Sequence, residues 1–468
     1  MPFRTLTNTL SVVSRTMEAQ PLDQGRPVYA HHNWQDPYEV QTSYDVERLF
    51  STFGNREQYV AQGLRPLRTF GMSAISDQFK AGHLEQFLAR TSPQENLTLV
   101  SDYDFFGFGL GQSWKMPLDC DSTEITNLTS TAIYADGLDT RRFFEGQGVF
   151  LVPPYNTKVL RFNDTISLPA LYATIQPGSM PAGDPTKLVL SPPPSDYTSD
   201  AEPPLAIGWR VVPAVDCVPL LEAPSSYQTA KVLEADVAGT EYPGTGVLPA
   251  SAVAGAFPSG YSTFTGQSSV ERLVFPVDHN WREALRVKYV RPGAETYDGR
   301  VRMSGFRPRW HIEVNSLAMS RQEWYSILEA FDATQGGARP MWVVSPTVIY
   351  ERGQRASTNR LVVPIGGNLT EFLSTTVATA FEHDGDWYVN EISTGSPLLS
   401  GQGKVTAWNL DTHNTVFQIP GTNFTPCLKR AFPGRFSGPL RESWLSRNVC
   451  EVSFTIVECE DKTPEALT

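Results

Sequence analysis

The chain is poor in cysteine, with five in 468 residues (Cys120, Cys217, Cys427, Cys450 and Cys459). An odd number without close pairing excludes a dense disulfide framework and points to reduced, buried or partly buried thiols. Cys427, Cys450 and Cys459 are separated by 23 and 9 positions, which match no compact metal or cluster motif. If Cys450 and Cys459 share one regular strand, their odd separation turns them to opposite faces. Cations are also scarce: 38 Lys and Arg stand against 50 Asp and Glu, for a formal net charge of −12. With no basic run, this excludes a phosphate-gripping surface. No apolar run approaches the roughly 18 residues that a membrane helix needs. Met1 to Gln20 lacks the uninterrupted apolar segment of a secretory leader, so assembly in a cytoplasm is expected. The five Asn-x-Ser/Thr sites, at Asn96, Asn127, Asn163, Asn368 and Asn423, then read as by-products of Thr-rich strands.

Signatures of catalysis are missing too. His31 and His32 stand beside Asn33-Trp34, and His279 beside Asn280-Trp281, yet no His-x-x-x-His or His-Glu-x-x-His occurs. Recurrence beside an Asn-Trp pair fits packing or turn capping better than metal ligation. Two acidic turns occur, Asp136-Gly137-Leu138-Asp139 and Glu382-His383-Asp384-Gly385-Asp386. The second spaces Asp384 and Asp386 like calcium ligands but lacks the later bidentate Glu, so a hairpin turn is the reading. No Gly-x-Ser-x-Gly, Walker or dinucleotide fingerprint sits between a strand and a helix. No enzyme is expected, and no catalytic, cofactor-binding or metal residue is assigned.

What the chain does have is internal repetition. Asn33-Trp34, then Arg65-Pro66-Leu67-Arg68, then a helical stretch ending near Phe87 reappear as Asn280-Trp281, Arg307-Pro308-Arg309-Trp310 and a stretch ending near Phe331. Trp34 to Arg65 is 31 positions and Trp281 to Arg307 is 26, while Arg65 to Phe87 is 22 and Arg307 to Phe331 is 24. Differences of that size fit within surface turns. A repeat of this length is no solenoid period and implies two tandem copies of one domain. The second halves align more loosely, Ile125–Ala132 with Phe372–Thr379, and the strand Gln228–Val237 with Asn448–Glu458. The division is an N-terminal arm (1–26), a first copy with a β-rich second half (27–245), a linker (246–269), a second copy (270–460) and a C-terminal tail (461–468). Around the linker, Ala238 to Phe264 is rich in turn formers and poor in charge.

Gly (35) and Pro (36), with many Ser and Thr, suit short strands joined by turns. The fold class is mainly β with a few short helices. Ser320-Arg321-Gln322-Glu323 is a capping box that starts a helix. Trp324, Ile327, Leu328 and Phe331 follow at helical spacing, and the helix ends before Gly336-Gly337. Ala81, Leu84, Phe87 and Leu88 repeat that face ahead of Pro93. Each helix is too short to stand alone and must lie on a sheet. Strands Arg68–Ala74 and Arg309–Val314 precede the helices, and Asn96–Val100 and Met341–Val344 follow them.

The order Phe53-Gly54-Asn55-Arg56-Glu57-Gln58-Tyr59, Arg65-Pro66 before a strand, a helix with Phe87-Leu88 and the strand Asn96–Val100 resembles the core of tail-tip proteins of long-tailed bacteriophages. It is similar to the lambda-type minor tail protein M and distal tail protein families. Arg56 departs from a simple Gly-x-Glu-Gln-Arg pattern, and the second copy keeps only Tyr297-Asp298-Gly299-Arg300 there. The resemblance covers 27–100 well, 270–345 fairly, and the remainder only generically.

That resemblance implies a duplicated tail-tube-like β-sandwich or split barrel with a flanking helix. It also implies a structural virion protein of the tail tip or baseplate, forming a ring that joins the tail tube protein to the hub protein and supports tail fibres. Such domains assemble by sheet-edge contacts. Three chains would present six domains in a pseudo-sixfold ring; six chains, with one copy outside, is the other arrangement. An acidic lining would let genome DNA pass without specific binding. The alternative is a carbohydrate- or receptor-binding module of the same tail tip, for which 10 Trp and 17 Tyr supply stacking faces. A cell-wall hydrolase is the remaining third reading.

Overall fold

A computed structural model describes residues 4–7, 12–14, 34–51, 56–61, 66–77, 97–100, 123–135, 138, 143–152, 160–162, 165–181, 183–198, 205–219, 225–229, 232–241, 261–267, 270–277, 281–286, 309–364, 368–446 and 449–459. The protein is mainly β. Its first strands are β1 (Arg4–Thr7), β2 (Val12–Ser14), β3 (Trp34–Ser43), β4 (Val46–Ser51), β5 (Arg56–Ala61), β6 (Leu67–Asp77), β7 (Leu97–Val100) and β8 (Thr123–Leu128). Next come β9 (Ala132–Ala135), β10 (Gly148–Val152), β11 (Leu160–Phe162), β12 (Thr165–Ile175), β13 (Lys187–Ser191), β14 (Arg210–Pro219), β15 (Ser225–Thr229) and β16 (Val232–Glu241). The second half holds β17 (Thr263–Thr265), β18 (Glu271–Pro276), β19 (Arg282–Arg286), β20 (Arg309–Ser320), β21 (Met341–Ser357) and β22 (Arg360–Pro364). It ends with β23 (Ala378–His383), β24 (Asp386–Leu399), β25 (Val405–Thr412), β26 (Phe424–Phe436), β27 (Leu440–Ser446) and β28 (Val449–Glu458).

In the second half, antiparallel pairings run from β21 to β22, β25, β24, β23, β26 and back to β21, a closed barrel. Closure leaves those strands without an open edge. Alternate residues turn inward, as period-two geometry requires. Leu361, Val363, Phe381, Trp408, Leu410 and Leu428 are buried together in one core. The first half closes the same way, from β8 to β9, β13, β12, β10, β14 and back to β8. Ile125, Ile133, Val149, Leu151, Leu188 and Val211 are buried on these strands.

The second core lies under the helix Arg321–Ala333. The Ser320 side chain accepts from the Glu323 amide, and the Glu323 carboxylate accepts from the Ser320 amide at 2.8 Å, so the expected capping box is present. Trp324, Ile327 and Phe331 are buried against Phe436, Phe454 and Ile456, whereas Leu328 is only half-buried. Each fully buried large apolar side chain contributes about 1.5–3 kcal/mol by leaving water. The Trp324 indole donates to the buried Glu442 carboxylate and ties the helix to β27. The expected first helix, with Ala81, Leu84, Phe87 and Leu88, lies outside the described residues, as do 53–55 and 297–300.

Three expectations need correction. Gln228–Val237 is not one strand: β15 ends at Thr229 and β16 starts at Val232, and the two pair antiparallel, Thr229 opposite Val232. Ile125–Ala132 does not match Phe372–Thr379, since Ile125 lies on β8 while Phe372 lies in the helix Leu369–Thr375, capped by the Asn368 side chain. Ala238 to Glu241, read as the start of a linker stretch, belongs to β16, and Thr263 to Thr265 at its other end form β17.

Candidate assembly interface

Strand pairings in the two halves correspond closely. β16 has β6 along one side, with β15 and then β14 along the other. β28 has β20 along one side, with β27 and then β26 along the other. The correspondence extends to register: Cys217 pairs with Glu241 as Gly434 pairs with Glu458, and Ser226 with Glu234 as Ser443 with Glu451. Both hairpins carry a bulge at the same place, between Tyr227 and Thr229 and between Trp444 and Ser446. A constant shift of 217 positions therefore maps 217–241 onto 434–458, although only Ser226, Val232, Glu234 and Glu241 keep their identity in the register-matched pairs. β7 meets β14 as β21 meets β26, with Val100 on Ala214 and Val344 on Ala431. One pairing differs: β2 runs antiparallel to β7, whereas β18 runs parallel to β21.

The two halves join through one continuous sheet. β3 pairs with β6 on one side and with β27 on the other, placing Val40 between Phe70 and Glu442 and Glu39 between Gly71 and Ser443. Val40, Thr42, Leu440 and Glu442 are buried at this seam. Just past β3, Tyr44 docks on the far helix: its hydroxyl donates to Asp332 Oδ1 at 3.0 Å and its ring meets Phe331 edge-on, with centroids 5.5 Å apart. Gly336, expected with Gly337 at the helix end, makes the approach possible. Both have positive φ (64° and 93°), and a Cβ on Gly336 would lie 2.5 Å from Tyr44 Cβ. Arg435 stacks over the Tyr59 ring at 4.8 Å and donates to the Gly337 and Ala338 carbonyls, clamping the β4–β5 hairpin to the same corner.

The sheet face turned away from the Arg321–Ala333 helix carries Glu39, Glu313 and Glu451 together with Arg309 and Arg441, interspersed with Ser443, Ser453 and Thr455. It is polar with mixed charge. The net −12 is not concentrated on these strands, so the expected acidic lining gains no support there.

Other sequence features fall into structural roles. Asp384 and Gly385, with φ of 53° and 86°, form the two-residue turn between β23 and β24. His383 Nε2 lies 3.3 Å from Asp384 Oδ2, and its ring is tilted 41° to Phe417 at 6.0 Å. His383, Asp384, Cys427 and Lys429 border a surface cleft of about 470 Å³. Among the described residues, no three His, Cys, Asp or Glu side chains gather as a metal site. Cys450 and Cys459 are both buried, because Cys459 follows the end of β28 and does not obey its alternation; Cys427 is exposed. His31, His32, His279 and Asp136 lie outside the described residues. Trp209, Trp281, Trp324, Trp342 and Trp408 are buried, so they offer no stacking face to a sugar. No described helix is long and apolar enough to cross a membrane.

The sheet seam was missed by the sequence reading, since its partners, β3 and β27, lie some 400 positions apart. No protein-family model matches the chain, and no curated protein matches it in sequence.

Proposed function

We propose that the chain is a tandem duplication of one domain, a barrel with a flanking helix and sheet, and that it builds a ring in the tail tip of a long-tailed bacteriophage. In this reading it is a structural virion protein joining the tail tube to the hub and supporting fibres. The observation that carries the proposal is the seam: β27 of the second unit extends the sheet of the first through β3, in register, while the pairings around β16 and β28 repeat. A unit that continues its neighbour's sheet is built for head-to-tail assembly, and such assembly either closes into a ring or grows into a filament. Three chains would present six units, which matches a sixfold tube above and a threefold hub below.

The test has two parts. The mass of the purified assembly should be three times that of the chain, with ring-shaped particles in electron micrographs; six chains would refute the trimer, and a monomer at all concentrations would refute the ring. Labelled antibody on intact particles should bind at the tail tip, and absence of the chain from purified virions would remove the virion assignment. Specific signals on a glycan array without ring formation would favour receptor binding instead.

A further inference from the structure

We infer that the β15 edge of one chain pairs antiparallel with the β19 edge of a second copy of the same chain, with Ser225 opposite Glu283, Ser226 opposite Arg282 and Tyr227 opposite Trp281. The inference rests on the ring proposed above and names the contact that continues it from chain to chain.

The argument is one of equivalence. Because β15 stands to β16 as β27 stands to β28, the shift of 217 maps Ser225, Ser226 and Tyr227 onto Glu442, Ser443 and Trp444. On the other edge, β3 stands to β6 as β19 stands to β20. Thr69 and Phe70 pair with Thr240 and Gly239 as His311 and Ile312 pair with Val457 and Ile456. Glu39, Val40 and Gln41 on β3 therefore correspond to Arg282, Glu283 and Ala284 on β19. Inside the chain the β27 and β3 edges are joined, Glu442 to Val40, Ser443 to Glu39 and Trp444 to Tyr38. Their counterparts are β15 and β19. Among the described residues, β15 pairs only with β16, and β19 only with β20.

These two edges lie at opposite ends of one sheet that runs β15, β16, β6, β3, β27, β28, β20, β19. An open edge presents a row of unpaired amides and carbonyls, and a second copy offers the complementary row in the register the seam already uses. The implied cross-strand pairs oppose no like charges: Ser226 faces Arg282 and Ser225 faces Glu283. Repeating one heterologous contact within and between chains gives a ring where the rotation closes.

The test is cysteine pairing in the full chain. Residues directly opposite in an antiparallel pair sit with Cα atoms about 4.5–5.5 Å apart, within disulfide reach. Under mild oxidation, Ser443→Cys with Glu39→Cys should bridge inside one chain, and Ser226→Cys with Arg282→Cys should bridge between chains, with the joined peptides identified by mass. The parent and the single variants control for the native thiols. If the chain assembles and the inner bridge forms, but Ser226→Cys and Arg282→Cys do not join or join within one chain, the edge contact is wrong and the ring survives on another contact. If the chain is monomeric and no interchain bridge forms, the ring itself falls. Hydrogen exchange on the unmodified protein gives a second readout: within Ser225–Tyr227 and Arg282–Ala284, the amides that point away from β16 and β20 should be slow in the assembly and fast after dilution to single chains. Equal rates in the two states would overturn the pairing.

Discussion

Tyr44 donates its hydroxyl to the Asp332 carboxylate at 3.0 Å, across 288 positions of chain. This bond joins the residue that follows β3 to the last turn of the Arg321–Ala333 helix, so it reports on the union of the two halves. Tyr44→Phe keeps the edge contact with Phe331 and removes only the hydrogen bond, which should lower stability by about 1–2 kcal/mol. Urea denaturation should show it, and a double-mutant cycle with Asp332→Ala, which removes the acceptor, should return most of that value as coupling. Additive effects of the two substitutions would mean the pair is incidental.

The helix face gives a graded expectation. Phe331 is 1% exposed and touches Tyr44 and Phe436 at ring-centroid distances of 5.5 and 5.2 Å. Phe331→Ala should cost about 3–5 kcal/mol through lost transfer energy and a residual cavity. Leu328→Ala, on the half-buried flank, should cost less than half as much. Equal melting of the Phe331→Ala variant and the parent would show that this face is not core.

Gly337 has φ of 93°, and a Cβ there would overlap the Phe436 carbonyl oxygen. Gly337→Ala therefore combines a disfavoured backbone region with a backbone clash, on the order of 3 kcal/mol together. Gly401 meets nothing within 4 Å of a built Cβ, and Gly401→Ala should stay within about 0.5 kcal/mol of the parent. Similar thermal midpoints for the two variants would contradict the close approach of Gly337 to Phe436.

Burial pushes the Tyr350 phenol up from its ordinary value of 10.0 to about 12. The folded state holds this proton more tightly than the unfolded chain does. The associated stability is full below pH 10.0 and is lost as pH rises toward about 12. The unfolding midpoint should fall over that window, and Tyr350→Phe should flatten the fall while leaving the barrel core packed. An unchanged alkaline slope in that variant would assign the loss to other groups, such as Tyr261, whose phenol is also raised, by burial and then by the nearby Glu329 charge.

Local patterns in the sequence carried the second helix almost completely. Its capping box, its buried face and its glycine stop all depend on residues within a few positions of one another, and the structure shows all three. The β-rich halves were harder. Alternating strands resemble one another, and their register is set by partners far along the chain, which is why the sequence likeness of Ile125–Ala132 falls on a segment that begins as a helix. The Asp384-Gly385 turn was legible because two residues at positive φ leave a local composition signal.

By itself, then, the sequence determined a mainly β chain, the capped helix with its apolar stripe and the turn chemistry, because propensity, capping and side-chain period act over short distances. Tertiary structure decided the barrel closures, the shift of 217 positions that relates the two terminal hairpins, and the seam where Val40 lies beside Glu442. Edge strands choose partners by backbone hydrogen bonding, which any sequence of suitable alternation offers. Only the fold brings the β3 and β27 edges together and presents β15 and β19 at the two ends of the same sheet.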